Sequence, residues 1–260
     1  MKRENIFWGV ALILFGVLLF LQQQGVIANV FSFFWPLALM LMGSWLVLSV
    51  YWRPAPGSAE EFKVALGSAS QVRYKFANGA AQVRIAGGAP AGQALVGLTG
   101  GGMDVKSRSE GDSLRVDVDA GPSFIPFVGP SGGVWQYQLT EEVPATVIVE
   151  SGASTFEMDL SRVLAERIEL RVGASSLQVT LPARGRSFLQ IEGGAASFNL
   201  RVPDGVAARI VDVEGMTALH VDKDRFPELA SGGYQSADYD NATNRTEIAV
   251  RAGVGSVTVK

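Results

Sequence analysis

The chain has 260 residues, a formal net charge of −3, 48% hydrophobic and 18% charged residues, 30 glycines and no cysteine. That length holds one or two folded units with a sizeable core, and the composition excludes a disordered tail, a collagen and a basic nucleic-acid binder. Without cysteine there is no disulfide framework, thiolate zinc site or cysteine catalysis, and a single histidine, His220, excludes a multi-histidine metal site.

Residues 1–53 carry four charges only: Lys2, Arg3, Glu4 and Arg53. Two apolar runs, Ile6–Leu21 and Val30–Val50, are separated by Gln22-Gln23-Gln24-Gly25. The second run matches the roughly 20 residues a helix needs to cross a bilayer core; tilt of its neighbour or local thinning accommodates the shorter first run. The pattern predicts a transmembrane helical hairpin over 1–53, with spans at about 6–21 and 30–50. Lys2-Arg3 before an apolar run also resembles a signal peptide, but no small-x-small cleavage site follows and a second apolar stretch comes almost at once. Phe7-Trp8, Phe33-Phe34-Trp35 and Tyr51-Trp52 suit the headgroup zone. Lys2, Arg3 and Arg53 flank the outer ends while the connecting loop is uncharged, so the positive-inside rule predicts that both ends, and all that follows Arg53, are cytoplasmic.

Residues 54–67, opening Pro54-Ala55-Pro56-Gly57-Ser58 and carrying Glu60-Glu61, read as a linker. The remainder, 68–260, repeats itself, most clearly over 147–223. Gly152-Ala-Ser-Thr-Phe156-Glu-Met158, Gly173-Ala-Ser-Ser-Leu177-Gln-Val179, Gly194-Ala-Ala-Ser-Phe198-Asn-Leu200 and Gly215-Met-Thr-Ala-Leu219-His-Val221 recur every 21 residues. A fixed short period signals stacked units. Within each, apolar residues alternate with Glu157, Gln178, Asn199 and His220, the mark of a half-buried strand. A second strand precedes each glycine: Val147/Val149, Ile168/Leu170, Leu189/Ile191. In the fourth unit Ile210 fits this phase and Asp212 does not, which predicts a bulge near Val211–Val213. Glycine with small neighbours suits a tight corner, and Pro182 and Pro203 end strands at equivalent places. The predicted fold is mainly β: a β-solenoid of 21-residue rungs about 4.8 Å apart, with Phe156, Leu177, Phe198 and Leu219 piled in one dry column.

The flanks carry weaker copies: Gly79-Ala-Ala-Gln-Val83-Arg-Ile85, residues 112–119, and Ser256-Val-Thr-Val-Lys260. Ala86–Gly102 and Gly121–Gly133 read as irregular; the second is apolar and proline-rich, suited to dock on the bilayer or, better, to cap an open end of the stack whose strand edges would otherwise be exposed.

With these residues in hand, Trp8-Gly9, Gly16, Gly25, Phe34-Trp35-Pro36 and Gly43 resemble the hairpin of LiaI/LiaF-like bacterial membrane proteins. The Gly-Ala-Ser rungs and the closing Tyr234-Gln-Ser-Ala-Asp-Tyr-Asp-Asn-Ala-Thr-Asn-Arg245 with Gly253-Val-Gly-Ser-Val-Thr-Val259 are similar to the toast-rack β-solenoid of LiaF-type and adhesin-like proteins. The resemblance implies a bacterial inner-membrane protein of the cell-envelope stress response, among relatives that restrain a membrane sensor kinase.

Several constellations mimic chemistry. Gly129-Pro-Ser131-Gly-Gly133 fits the nucleophile-elbow pattern, with Asp159 and His220 following in hydrolase order. A proline before the serine and the strand pattern Val134-Trp-Gln-Tyr-Gln-Leu139 after it favour a plain turn over a serine hydrolase. His220, Asp222 and Asp224 fall at i, i+2, i+4, facing water in the repeat phase, with no fourth metal ligand in view. Gly97-Leu-Thr-Gly-Gly-Gly102 lacks a phosphate loop's lysine and reads as a turn. Glu141-Glu142 and Asp238/Asp240 read as solvated edges, and the sequons at Asn241 and Asn244 carry no meaning in a bacterial cytoplasm.

No catalytic, cofactor-binding or metal residue is assigned, and no cofactor or nucleic acid is expected. The reading is a non-enzymatic, membrane-anchored scaffold or regulator working through protein contacts. Its partners are the lipid bilayer, a membrane sensor kinase or other membrane proteins, and further copies of itself. The alternative is an extracytoplasmic sensor or adhesin-like ligand-binding module.

Overall fold

The computed structural model describes residues 60–78, 82–99, 103–120, 134–230 and 232–260, together with Phe20, Gln23, Gln24, Leu39, Met40, Gly43 and Ser44. The expected spans 6–21 and 30–50 lie outside the described residues apart from those few. Among the described residues no helix is long and apolar enough to cross a membrane. The chain divides at Ala55/Pro56 into two units.

The second unit is one 14-stranded sheet. In chain order its strands are β1 (Glu60–Ala65), β2 (Gln71–Asn78), β3 (Gln82–Gly87), β4 (Gln93–Thr99), β5 (Met103–Glu110), β6 (Ser113–Ala120) and β7 (Val134–Leu139). They continue with β8 (Ala145–Ser151), β9 (Thr155–Asp159), β10 (Ala165–Thr180), β11 (Arg186–Arg201), β12 (Ala207–Val221), β13 (Tyr234–Gln235) and β14 (Arg245–Val259). Four of these are long because they pass through a corner. Each has a first limb before its glycine and a second limb after it. β2/β3, β6/β7 and β8/β9 are the same two limbs as separate strands.

The two limbs bury facing columns. On the second limb Trp135, Val83, Phe156, Leu177, Phe198, Val257 and Leu219 follow one another at register-matched positions. On the first limb the column is Val116, Tyr74, Val147, Ile168, Leu189, Ile248, Ile210. All but Leu219 are buried, and Leu219 packs against the cluster. The limbs meet ring to ring where Phe76 and Tyr137 lie 4.9 Å apart, and the buried Tyr74 hydroxyl donates to Ala94 O at 2.5 Å. Each buried Phe, Leu or Val stabilises by about 1.5–3 kcal/mol against exposure, and no single rung could bury its row alone.

The stacking order differs from the chain order at both ends. The predicted pile of four holds for Phe156, Leu177 and Phe198, but Leu219 does not lie on Phe198: β14 enters between β11 and β12 and sets Val257 there. Likewise β2 lies between β6 and β8. Charge favours this order. β14 sets Arg251 between Glu192 and Glu214. At the other end Ala77 separates Asp119 from Glu150. Like charges directly opposite are destabilising, and each favourable cross-strand pair contributes roughly 0.2–1 kcal/mol.

The corner requires glycine. A Cβ on Gly173 would stand 2.5 Å from Gly152 O, and Gly215, at φ +107°, would drive one into Ala252 O. The bulge predicted near Val211–Val213 is present, with a second between Glu214 and Met216. Two expectations are corrected. Within the expected linker 54–67, Glu60–Ala65 is strand β1, because Val64 and Leu66 find a buried place beside β4. Within the expected irregular piece Ala86–Gly102, Gln93–Thr99 is strand β4, held antiparallel between β1 and β7. Gly97 is a strand residue there with the Phe62 ring over it, not part of a turn. The expected cap Gly121–Gly133 lies outside the described residues; the strands on its two sides are β6 and β7. At the opposite end Phe226 is fully buried and strand β13 pairs with the first limb of β12.

Candidate interaction surface

Residues pointing away from the core form rows across the rungs. Beside the glycine corner one row reads Glu150, Arg171, Glu192, Arg251, Glu214 on adjacent strands. Arg171 Nη1 lies 3.3 Å from Glu150 and its Nε 3.5 Å from Glu192; Arg251 Nε lies 3.4 Å from Glu214. Lys75 Nζ joins Glu150 at 2.8 Å, and this ammonium holds the Glu150 carboxyl below the usual carboxylate range, with Arg171 adding to it. The row borders a shallow open groove lined also by Ser151, Val172, Gly173, Gly193 and Gly194. Being paired along its length, the row is nearly neutral to an approaching molecule. It supports rung order more directly than it offers a charged site.

The second limb presents a different surface. Its outward rows are Thr155, Ser176, Ser197, Ser256, and then Glu157, Gln178, Asn199, Thr258, His220. From β10 to β12 these two rows hold no acid and no Lys or Arg, and Ser197 and Ser256 hydroxyls lie 3.0 Å apart. Such a face offers hydrogen-bonding groups at regular spacing with little charge to desolvate. It suits protein contact because its area grows with rung number. Burial pushes the Tyr74 and Tyr137 phenols well above their usual range, in keeping with their place in the core.

His220 is exposed on the outward row. Asp222 and Asp224 do not share its strand face, because β12 ends at Val221 and Asp222 Oδ1 turns to accept the Asp224 N–H at 3.1 Å. Among the described residues no group of three or more His, Asp or Glu could hold a metal ion. Ser131 lies outside the described residues, so its relation to Asp159 and His220 does too. Glu141 departs from the solvated edge expected of it. Its side chain is 23% exposed and pairs with Arg162 Nε at 3.0 Å, while Glu142 accepts the Gly92 N–H at 2.9 Å. Asp240 is exposed and pairs with Arg209 at 2.9 Å. Asn244 accepts the Gly185 N–H at 3.0 Å, a structural role. In the closing segment Tyr239 is buried beneath the Arg209 guanidinium, 4.3 Å from its ring centre. The charge row escaped the sequence reading, yet Glu150, Arg171 and Glu192 are themselves 21 residues apart. That spacing was its signal.

Residues 7–76 match the LiaF transmembrane domain. A solved structure from Clostridium sporogenes ATCC 15579, described as a candidate cell adhesion protein, superposes with a TM-score of 0.69 at 17% identity, covering 77% of this chain and 97% of that one. At that identity the likeness speaks for the fold alone. No curated protein matches this chain. Residues 53–201, more than half the chain, match the N-terminal domain of toast_rack, DUF2154. With a LiaF transmembrane domain ahead of a stack of glycine-cornered rungs, the chain belongs to the LiaF-like toast-rack family of membrane proteins.

Proposed function

We propose that this protein is a non-enzymatic, membrane-anchored regulator or scaffold of the cell-envelope stress response, acting through protein contacts of its β-stack. The observation that carries the reading is the extent of the LiaF transmembrane match, which runs to residue 76 and so includes β1 and most of β2. A helical hairpin over about 6–21 and 30–50 anchors it. Phe20, Leu39 and Met40 support this, being large apolar side chains that stand exposed. The flanking Lys2, Arg3 and Arg53 favour a cytoplasmic stack at the inner membrane. The two uncharged outward rows on the second limbs of β10, β11, β14 and β12 favour a protein partner such as a membrane sensor kinase, with no cofactor needed. Deleting the gene should change the output of an envelope-stress reporter. Restoring the full chain should reverse the change, and a version lacking residues 1–53 should not. A reporter unmoved by deletion contradicts the proposal.

The likeness to the Clostridium protein favours a second reading, an extracytoplasmic adhesin-like module. A reporter fused after Lys260 that is active only outside the cytoplasm would select it.

A further inference from the structure

The last rung leaves part of its backbone edge open. On the first limb β13 pairs with Arg209 and Ile210 of β12. On the second limb Thr217–Val221 pair with β14 on one side and with no described residue on the other. The Asp222 N–H donates to Val259 O at 3.1 Å. In a parallel ladder alternate residues bond to one neighbour, so Ala218 and His220 also bond to β14. The N–H and C=O groups of Thr217, Leu219 and Val221 therefore point outward. Leu219 and Val221 are only half-buried, whereas Phe198, Leu200, Val257 and Val259 deeper in the stack are at most 2% exposed.

The outer strands β5 and β1 are guarded. β5 carries Asp104, Lys106, Arg108 and Glu110, and β1 carries Glu60, Glu61 and Lys63. Charges of this kind block strand addition at sheet edges. Between Gly215 and Val221 there is no Lys, Arg, Asp, Glu or Pro.

We infer that this edge pairs with the same edge of a second copy, antiparallel about a two-fold axis at Leu219. In that register Leu219 meets the partner's Leu219, Thr217 meets the partner's Val221, and Ala218 meets the partner's His220. The outward N–H and C=O groups of all three residues on each chain are then satisfied. No two charges are opposed, and the dry column ending Val257–Leu219 continues into the partner's Leu219. The contact is isologous and closes at two chains; pairing with the other end of the stack would bring Glu61 and Lys63 to the interface and build an open filament. The inference deepens the scaffold reading by naming one contact, and rests on it for purpose and not for geometry.

The full chain in detergent micelles should contain two protein chains per particle, twice the 27.7 kDa of one. The chain has no native cysteine, and Ala218 and His220 are exposed, so Ala218→Cys and His220→Cys leave the core untouched. In the register above, residues 218 and 220 of opposite chains form a non-hydrogen-bonded pair with Cα atoms about 4.5 Å apart, within disulfide reach. Oxidising a mixed dimer of the two variants should give a cross-linked dimer. Either variant alone should not, its two cysteines being offset by two residues along the strands. One chain per particle, no cross-link in the mixture, an equal cross-link in Ala218→Cys alone, or a ladder beyond dimer would each overturn the pairing. The stress-reporter result stands independent of all four.

Discussion

Thr246 is fully buried, and its hydroxyl has no hydrogen-bond partner among the described residues. It sits on β14 between Ser187 and Ala208. An unsatisfied buried hydroxyl costs about 1–3 kcal/mol. Thr246→Val removes the polar atom while keeping the β-branched shape, so it should raise the unfolding midpoint in denaturant by an amount worth about 1 kcal/mol. Glu150 makes the opposite kind of statement. Its carboxyl is held down chiefly by Lys75, so its ionised form is favoured in the folded state. That contribution is fully present above its ordinary value of 4.5 and is lost as pH falls through the lower folded value. Denaturation followed at falling pH should show Lys75→Met losing less stability across that window than the unaltered chain, and added salt should shrink the difference. A larger loss in Lys75→Met would contradict the assignment.

At the scale of elements, much of the stack was legible because its signals are local. The Gly173 corner, the alternation through Leu177 and Val179, and the misfit of Asp212 all sit within a few residues of the strands they shape. β4 was not legible. Ala94, Leu95 and Val96 are all buried, so the strand shows an unbroken apolar run between glycines with no alternation to read. β1 was hidden by Glu60 and Glu61, whose charge suggests a wet linker although Val64 is buried one turn of the pleat later. Rung order was illegible for a deeper reason: it depends on which distant strand fills a gap. The 21-residue period invites Leu219 onto Phe198, and nothing near either residue states that Val257 comes between. The charge row does state it once the rungs are compared. Arg251→Glu should therefore destabilise by about 1–2 kcal/mol, since it replaces favourable neighbours with like charges at Glu192 and Glu214. Adding Glu214→Arg should recover part of the loss. Chemical denaturation measures both, and a neutral Arg251→Glu would remove charge as the reason for the insertion.

At the scale of the whole molecule, the family is one of membrane proteins and the fold is a β-stack; the proposed function joins them through a contact surface. What the sequence carried of this was the pairing of an uncharged amino-terminal stretch with a periodic tail. The period already aligned Gln178 with Asn199, but it could not state that Thr258 lies between Asn199 and His220, which follows only from the insertion of β14. No partner leaves a mark in a row of small polar side chains. The account stands on that face touching another membrane protein. The most direct measurement places a photo-crosslinking residue at Gln178, Asn199 or Thr258 in the full chain within living cells. The account predicts adducts to a membrane signalling protein at these positions, lost when residues 1–53 are removed. Adducts absent from all three, while the same probe at exposed first-limb positions such as Arg167 or Arg186 does capture a protein, would contradict it.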